Sequence, residues 1–196
     1  MSNRKNTICI ITNLSVNIRQ TIVCTVEPRK NHNLLFDVWK KIAIEKPESI
    51  IPLIIVGGYG WLVEELFKRY ENDPILQKYI IFTGKVANEE RDAILQNARF
   101  SLFPSFAEGW GMPITESLQV GTPVISADNS SLPEAGHGIT KTINVGNFGQ
   151  WYETVLEYMQ NDDIIEQERQ KIARTKLRTW DDFNREITDI VYSNIR

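Results

Sequence analysis

The stretch TIVCTVEPRKNHNLLFDVWKKIAIEK, from Thr21 to Lys46, changes its periodicity partway along. Its opening run, Thr21–Val26, is rich in β-branched residues and suits a strand. From Asn33 onward, Leu34, Leu35, Val38 and Ile42 recur at three- and four-residue spacing on one helix face, and Pro47 follows as a stop. Strand, short loop and helix in that order are half of a βαβ unit. The alternation continues along the chain. Strands are expected at Thr7–Thr12, Ile50–Val56, Tyr79–Gly84, Arg99–Pro104, Thr122–Ser126 and Ile139–Asn144, with helices over Trp61–Asn72 and Asn88–Ala98. Beyond Val145 the pattern is helical to the end. No internal repeat, low-complexity tract or linker interrupts it. The expectation is one compact α/β domain around a parallel sheet, with its chemistry in the loops that follow the strands.

Bulk properties narrow the function. The 196 residues are 42% hydrophobic and 24% charged with a net charge of −3, which argues against a nucleic-acid partner. The longest apolar run, Ile50–Val56, is far short of a membrane span, and the run behind MSNRKN is too short for a signal peptide. Cys9 and Cys24 form no CxxC and have no His or Cys close by in sequence, so they read as reduced core or near-core thiols of a cytoplasmic protein. His32 and His137 lie far apart, and no Asp-x-Asp pair is present, so no metal site is expected.

Four loops carry the candidate chemistry. In EPRKN, Glu27–Asn31, Arg29 and Lys30 stand before a helix that Asn31 would cap; this is either an anion site or a solvated basic turn. In VGGYGW, Val56–Trp61, Gly58 and Gly60 suggest a dinucleotide loop, but Val63 occupies the third glycine position. Those glycines serve either close approach to a ligand or a tight turn. In FAEGWGMPITES, Phe106–Ser117, Gly109, Gly111 and Pro113 hold off regular structure until about Pro113. The N–H groups of Ile114, Thr115 and Glu116 would then face a phosphate, while Glu108 and Glu116 suit sugar or ribose hydroxyls. In SSLPE, Ser131 and Glu134 match a capping box. The Asp162–Asp163 and Asp181–Asp182 pairs fall at late helix starts, where capping explains them. GxSxG, GKS/T and HExxH are absent.

Together, TVEPRKNHNLL, LIIVGGYGW, FTGKV, SLFPSFAEGWGMPITESLQVGTPVISADNSSLPEAG and a late TW resemble the C-terminal half of a family 4 retaining glycosyltransferase with the GT-B fold. The likeness runs from about Arg19 to the end, and Glu108 and Glu116 meet the family's spacing of its two acids. The resemblance implies a Rossmann-like parallel sheet sandwiched by helices, over residues 19–196. Residues 1–18 would be a leader or linker remnant, or an extra strand. It implies that Lys30 pairs with the donor's diphosphate, assisted by Arg29, and that Val86 contacts the base through its backbone. Glu108 would meet the donor sugar, with the N–H groups of Gly109, Trp110, Gly111 and Met112 nearby, and Glu116 the ribose. Lys30 and Glu108 are thus the expected catalytic pair, and Gly58, Ile114 and Thr115 complete the expected donor-binding set. Thr25 stands where many members carry a phosphate-binding Arg.

The implied reaction is metal-independent hexosyl transfer in polysaccharide or surface-glycan synthesis, with no cofactor beyond a nucleotide-sugar substrate. EPRKNH with EGWG resembles bacterial mannosyl- and rhamnosyltransferases, which makes GDP-mannose the expected donor. A glycan or lipid-linked acceptor would bind an N-terminal domain or partner subunit, and the whole enzyme would work in the cytoplasm, free or at the inner membrane face. Without that half the chain is expected to be inactive. The alternatives are a stand-alone, non-catalytic nucleotide-sugar-binding module, and a phosphorylase or epimerase relative of the same fold.

Overall fold

The computed structural model describes residues 20–193. The strand expected at Thr7–Thr12, Cys9 and the segment 1–18 lie outside the described residues. Six strands form one sheet: β1 Gln20–Val23, β2 Leu53–Val56, β3 Ile80–Gly84, β4 Phe100–Phe103, β5 Val124–Ala127 and β6 Lys141–Ile143. Each overlaps a run expected from the sequence. Every pairing is parallel, in the order β3-β2-β1-β4-β5-β6. The helices are α1 His32–Glu45, α2 Glu64–Glu71, α3 Pro74–Tyr79, α4 Asn88–Gln96, α5 Met112–Gln119, α6 Leu132–Ala135, α7 Phe148–Gln160, α8 Asp162–Arg174 and α9 Trp180–Ser193. None is long and apolar enough to cross a membrane.

Strands β1, β2, β4 and β5 are buried along their whole length, as a parallel sheet with two covered faces requires. Side chains alternate between those faces. Ile22, Leu53 and Ile55 pack with Leu35, Trp39 and Ile42 of α1 and Trp151 of α7. Val23, Ile54 and Val56 pack on the other side with Ile94 and Leu95 of α4. The two largest buried side chains satisfy their polar atoms: the Trp39 indole donates to Ile51 O at 2.9 Å and the Trp151 indole to Asn144 O at 3.2 Å.

Two helix boundaries depart from expectation. Trp61–Val63 stay outside α2, and α3 is an added helix. Asp73 accepts from the N–H groups of Ile75 and Leu76, and Pro74 opens α3 where its missing N–H costs nothing. The capping expected of the two Asp pairs divides. Asn161, not an aspartate, caps α8, leaving Asp162 to pair with Arg99 at 2.5 Å. Before α9, Thr179 and Asp182 exchange hydrogen bonds as a capping box does.

The strand order places the site. From β1 the chain builds outward through β2 and β3, then returns to lay β4 against the other side of β1. The connections leaving β1 and β4 therefore diverge, and a crevice opens between them at the carboxyl edge of the sheet.

Candidate functional site

After β1 the chain makes one turn of 3₁₀ helix, Pro28–Lys30, closed by Asn31 at φ +54°. Asn31 precedes α1 as expected, but its side chain makes no capping bond; its tolerance of the left-handed backbone is what the turn uses. The turn aims two cations at the loop after β4. Lys30 Nζ donates to Glu108 Oε1 and Arg29 Nη1 to Glu108 Oε2, both at 2.6 Å. Arg29 Nη1 also donates to Ala107 O, and Arg29 O accepts the Phe106 N–H at 2.8 Å. The second arm of the guanidinium holds Glu27, whose other oxygen accepts from the Trp61 indole. The Lys30 and Glu108 side chains are each only 11% exposed, so this is a largely dry ion pair. Burial alone would raise the Glu108 carboxyl. Hydrogen bonds from Lys30, Ser105 and Arg29, with the charge of Lys30, outweigh it and hold the group below the usual range.

The loop after β4 turns into α5 at Gly111, whose φ is +100° and where a Cβ would lie 3.1 Å from Leu132 Cδ2. Helix α5 opens at Met112, one residue before the expected Pro113, and this changes which N–H groups are free. The Ile114 N–H is taken by Gly111 O at 2.9 Å, and its side chain is core. Glu116 is the fifth helical residue, so its N–H falls within the helix's own ladder. Of the three amides expected to face an anion, Thr115 alone is left. Earlier in the loop, no acceptor among the described residues takes the N–H of the exposed Gly109, Trp110 and Met112 or of the buried Gly111. On the flank of α5, Glu116 pairs with Arg91 at 3.3 Å, and Thr115 Oγ1 is shut from solvent with no described hydrogen-bond partner. A cleft of about 920 Å³ runs past Trp110, Met112, Thr115, Glu116, Arg91 and His137.

The capping box expected of SSLPE does not form, since Ser131 makes no side-chain cap bond to α6. Its hydroxyl donates instead to Trp110 O at 2.8 Å and Glu108 O at 3.2 Å, while Ser130 Oγ accepts the Glu108 N–H at 3.0 Å. Ser105, Ser130, Ser131 and Arg91 touch Glu108, its loop or Glu116, and the sequence does not mark them as candidates for this site. The serine pair carried a signal, but it was a capping signal.

The remaining candidates lie apart from Glu108. The Gly58 carbonyl accepts from Val26 N, and no hydrogen bond or ion pair among the described residues joins Gly58 to Glu108. The Val86 side chain packs against the cluster of Val23, Val56 and Ile94, and no described backbone group takes its N–H or carbonyl. Thr25 is exposed, and Arg29 supplies the second cation beside Lys30. Cys24 does have a histidine neighbour: its Sγ lies 3.5 Å from His32 Nε2, because the β1 loop doubles back before α1. Burial pushes the Cys24 thiol up to about 12 and the His32 imidazole down to about 4, so the pair is neutral.

The family model for Glycosyl transferases group 1 matches residues 19–161. The chain is 28% identical over 158 residues to O-antigen chain mannosyltransferase B of Escherichia coli, covering 80% of this chain and 41% of that protein. It is 24% identical over 174 residues to the human GDP-Man:Man(3)GlcNAc(2)-PP-Dol alpha-1,2-mannosyltransferase, covering 82% of this chain and 35% of that protein. The chain thus spans less than half the length of these relatives. Among solved structures, Anabaena HepE in complex with UDP and glucose superposes with a TM-score of 0.72 at 16% identity, over 97% of this chain and 51% of that one. TarM superposes with a TM-score of 0.71 at 17% identity, over 90% of this chain and 35% of that one. These likenesses establish the Rossmann-like fold of a GT-B glycosyltransferase. With its family model matched over most of its length, this chain belongs to the group 1 glycosyltransferases.

Proposed function

We propose that this chain is the donor-binding half of a retaining glycosyltransferase of surface-glycan synthesis, transferring mannose or a related hexose from GDP-mannose. The observation that carries the reading is the convergence of Lys30 and Arg29 on Glu108 in the crevice between β1 and β4, beside four amides without acceptors. Mannose is supported by the names of the relatives, one of which includes GDP-Man as donor. The acceptor would be a glycan or lipid-linked sugar held by a further domain or a partner subunit. The 41% coverage of the Escherichia coli relative supports such a second half. The whole enzyme would act in the cytoplasm or at the inner membrane face.

In this reading the diphosphate competes with Glu108 for Lys30 and Arg29. Once the cations re-pair with phosphate, the Glu108 carboxylate is released to accept from the donor sugar's hydroxyls, which an acceptor-only group suits. As the bond from the sugar's anomeric carbon to the diphosphate breaks, the electron pair leaves with the phosphate oxygen. Two cations and the amides of Gly109–Met112 stabilise that charge without a metal. Glu116, on the flank of the same helix, holds the ribose, and the open backbone of Val86 meets the base.

Calorimetric titration with GDP, UDP, ADP and dTDP, without added metal, tests the reading. Saturable binding of GDP, lost in Glu116→Ala, supports it in full. Binding of another nucleotide keeps the donor half and replaces the base. No binding to any of the four overturns it.

A further inference from the structure

We propose that Ser131 is a positioning residue that aims the diphosphate-binding amides of the loop after β4, an inference resting on the donor-binding reading above. It begins with two hydroxyls used in opposite senses. Ser130 gives its proton to Asn129 Oδ1 at 3.3 Å, which leaves its oxygen to accept the Glu108 N–H. Ser131 uses its proton on the loop itself, shared between Trp110 O and Glu108 O. Ser130 sits at φ +47°, an uncommon backbone for a residue with a side chain, and the turn it makes brings both hydroxyls to the same loop.

The consequence follows from peptide geometry. All described peptide bonds are trans, so the N–H after each carbonyl points the opposite way. Drawing Glu108 O toward Ser131 turns the Gly109 N–H away from it, and drawing Trp110 O there turns the Gly111 N–H away likewise. These two amides are among those with no described acceptor. One hydroxyl thus sets the direction of two donors, on a loop where glycines at 109 and 111 leave the backbone free to turn otherwise. The Glu108 N–H is meanwhile committed to Ser130, so Glu108 faces the crevice through its carboxylate. Giving up its cap bond to α6 costs Ser131 little, because that helix is four residues long.

The test compares wild type, Ser131→Ala and Ser131→Thr by calorimetry, using whichever of GDP, UDP, ADP and dTDP binds, and its monophosphate. Thermal midpoints check folding. The expected result is roughly tenfold weaker diphosphate binding in Ser131→Ala, with monophosphate binding within about twofold of wild type and diphosphate binding restored in Ser131→Thr. Unchanged diphosphate binding in Ser131→Ala would overturn the inference while leaving the donor site intact. Equal loss of both nucleotides, or no rescue by threonine, would also overturn it, since a collapsed loop does not discriminate. Failure of wild type to bind any nucleotide would remove the donor-binding reading and this inference with it.

Discussion

Two glycine-bearing loops leave strands β2 and β4, on either side of β1, and are held in different ways. In the loop after β2, the glycines let backbone lie against backbone. A Cβ at Gly57 would stand 1.8 Å from the Cys24 carbonyl oxygen, and one at Gly60 would stand 3.0 Å from Val26 O. Three backbone bonds hold that packing: Gly57 N donates to Gly84 O, Gly60 N to Val26 O, and Gly58 O accepts from Val26 N, while no described acceptor takes the N–H of Gly58, Tyr59 or Trp61. In the loop after β4, a Cβ at Gly109 would meet nothing within 4 Å, and four consecutive amides have no described acceptor. An ion-paired acid and a serine hydroxyl hold that loop in place. What sets the β4 loop apart is that side chains anchor it, the ion-paired Glu108 and the two serine hydroxyls, where the β2 loop is held backbone to backbone.

The strongest way to break this contrast is Gly57→Ala. Overpacking against a backbone carbonyl, added to a φ of +148°, is expected to cost about 3–5 kcal/mol, read as a large fall in denaturation midpoint. A stable Gly57→Ala protein would show that the β2 loop is not packed as described. Next comes Lys30→Ala, expected to weaken nucleoside diphosphate binding by about 1.5–3 kcal/mol, roughly ten- to a hundredfold in calorimetry. Unchanged affinity there would remove Lys30 from the diphosphate site.

Beneath the cation loop, His32 makes an acid-sensitive point. Its imidazole is held near 4 by burial and the Lys30 charge, with the Glu27 backbone opposing and Cys24 beside it, against an ordinary value of 6.5. As pH falls from 6.5 to 5, the unfolded chain gains a proton that the folded chain refuses. Stability should drop by about 2 kcal/mol across that window, and His32→Gln should flatten the loss in denaturation measured at several pH values. Further down in acid, protonation of Glu108 removes the stabilisation its lowered carboxyl supplies.

Two smaller effects sharpen the comparison. Glu108→Gln should release Lys30 and Arg29, tightening binding of the free diphosphate by about 1 kcal/mol while removing any preference for the sugar-bearing form. Weaker diphosphate binding in this variant would mean that Glu108 helps to build the anion site and does not compete for it. Gly109→Ala should alter stability by less than about 0.5 kcal/mol, with weaker donor binding. Equal melting losses in Gly109→Ala and Gly57→Ala would erase the difference between the loops.

The charged centre of the candidate site is legible in the sequence as a set of short motifs. Glu108, Lys30 and Arg29 were all named from short motifs, and the structure gathers them about one carboxylate. The places that misled are those where one local pattern has two uses. Ser131 and Glu134 have the spacing of a capping box, yet the hydroxyl goes to a loop some twenty residues earlier in sequence. Ile114 was expected to offer an amide, but a helix starting one residue sooner spends it on Gly111. Cys24 has no partner by sequence proximity and acquires His32 through the fold.

The sequence by itself determined the alternation of strand and helix and the parallel sheet, because hydrophobic period and turn chemistry are local and repeat along the chain, and its motifs carried the resemblance to the family. Tertiary structure alone decided which amides are left open, which glycines serve packing, and that Arg29 and Lys30 meet Glu108 almost eighty residues away. Those outcomes depend on competition among hydrogen-bond partners distant in sequence, and the winner is set only when β4 is laid against β1.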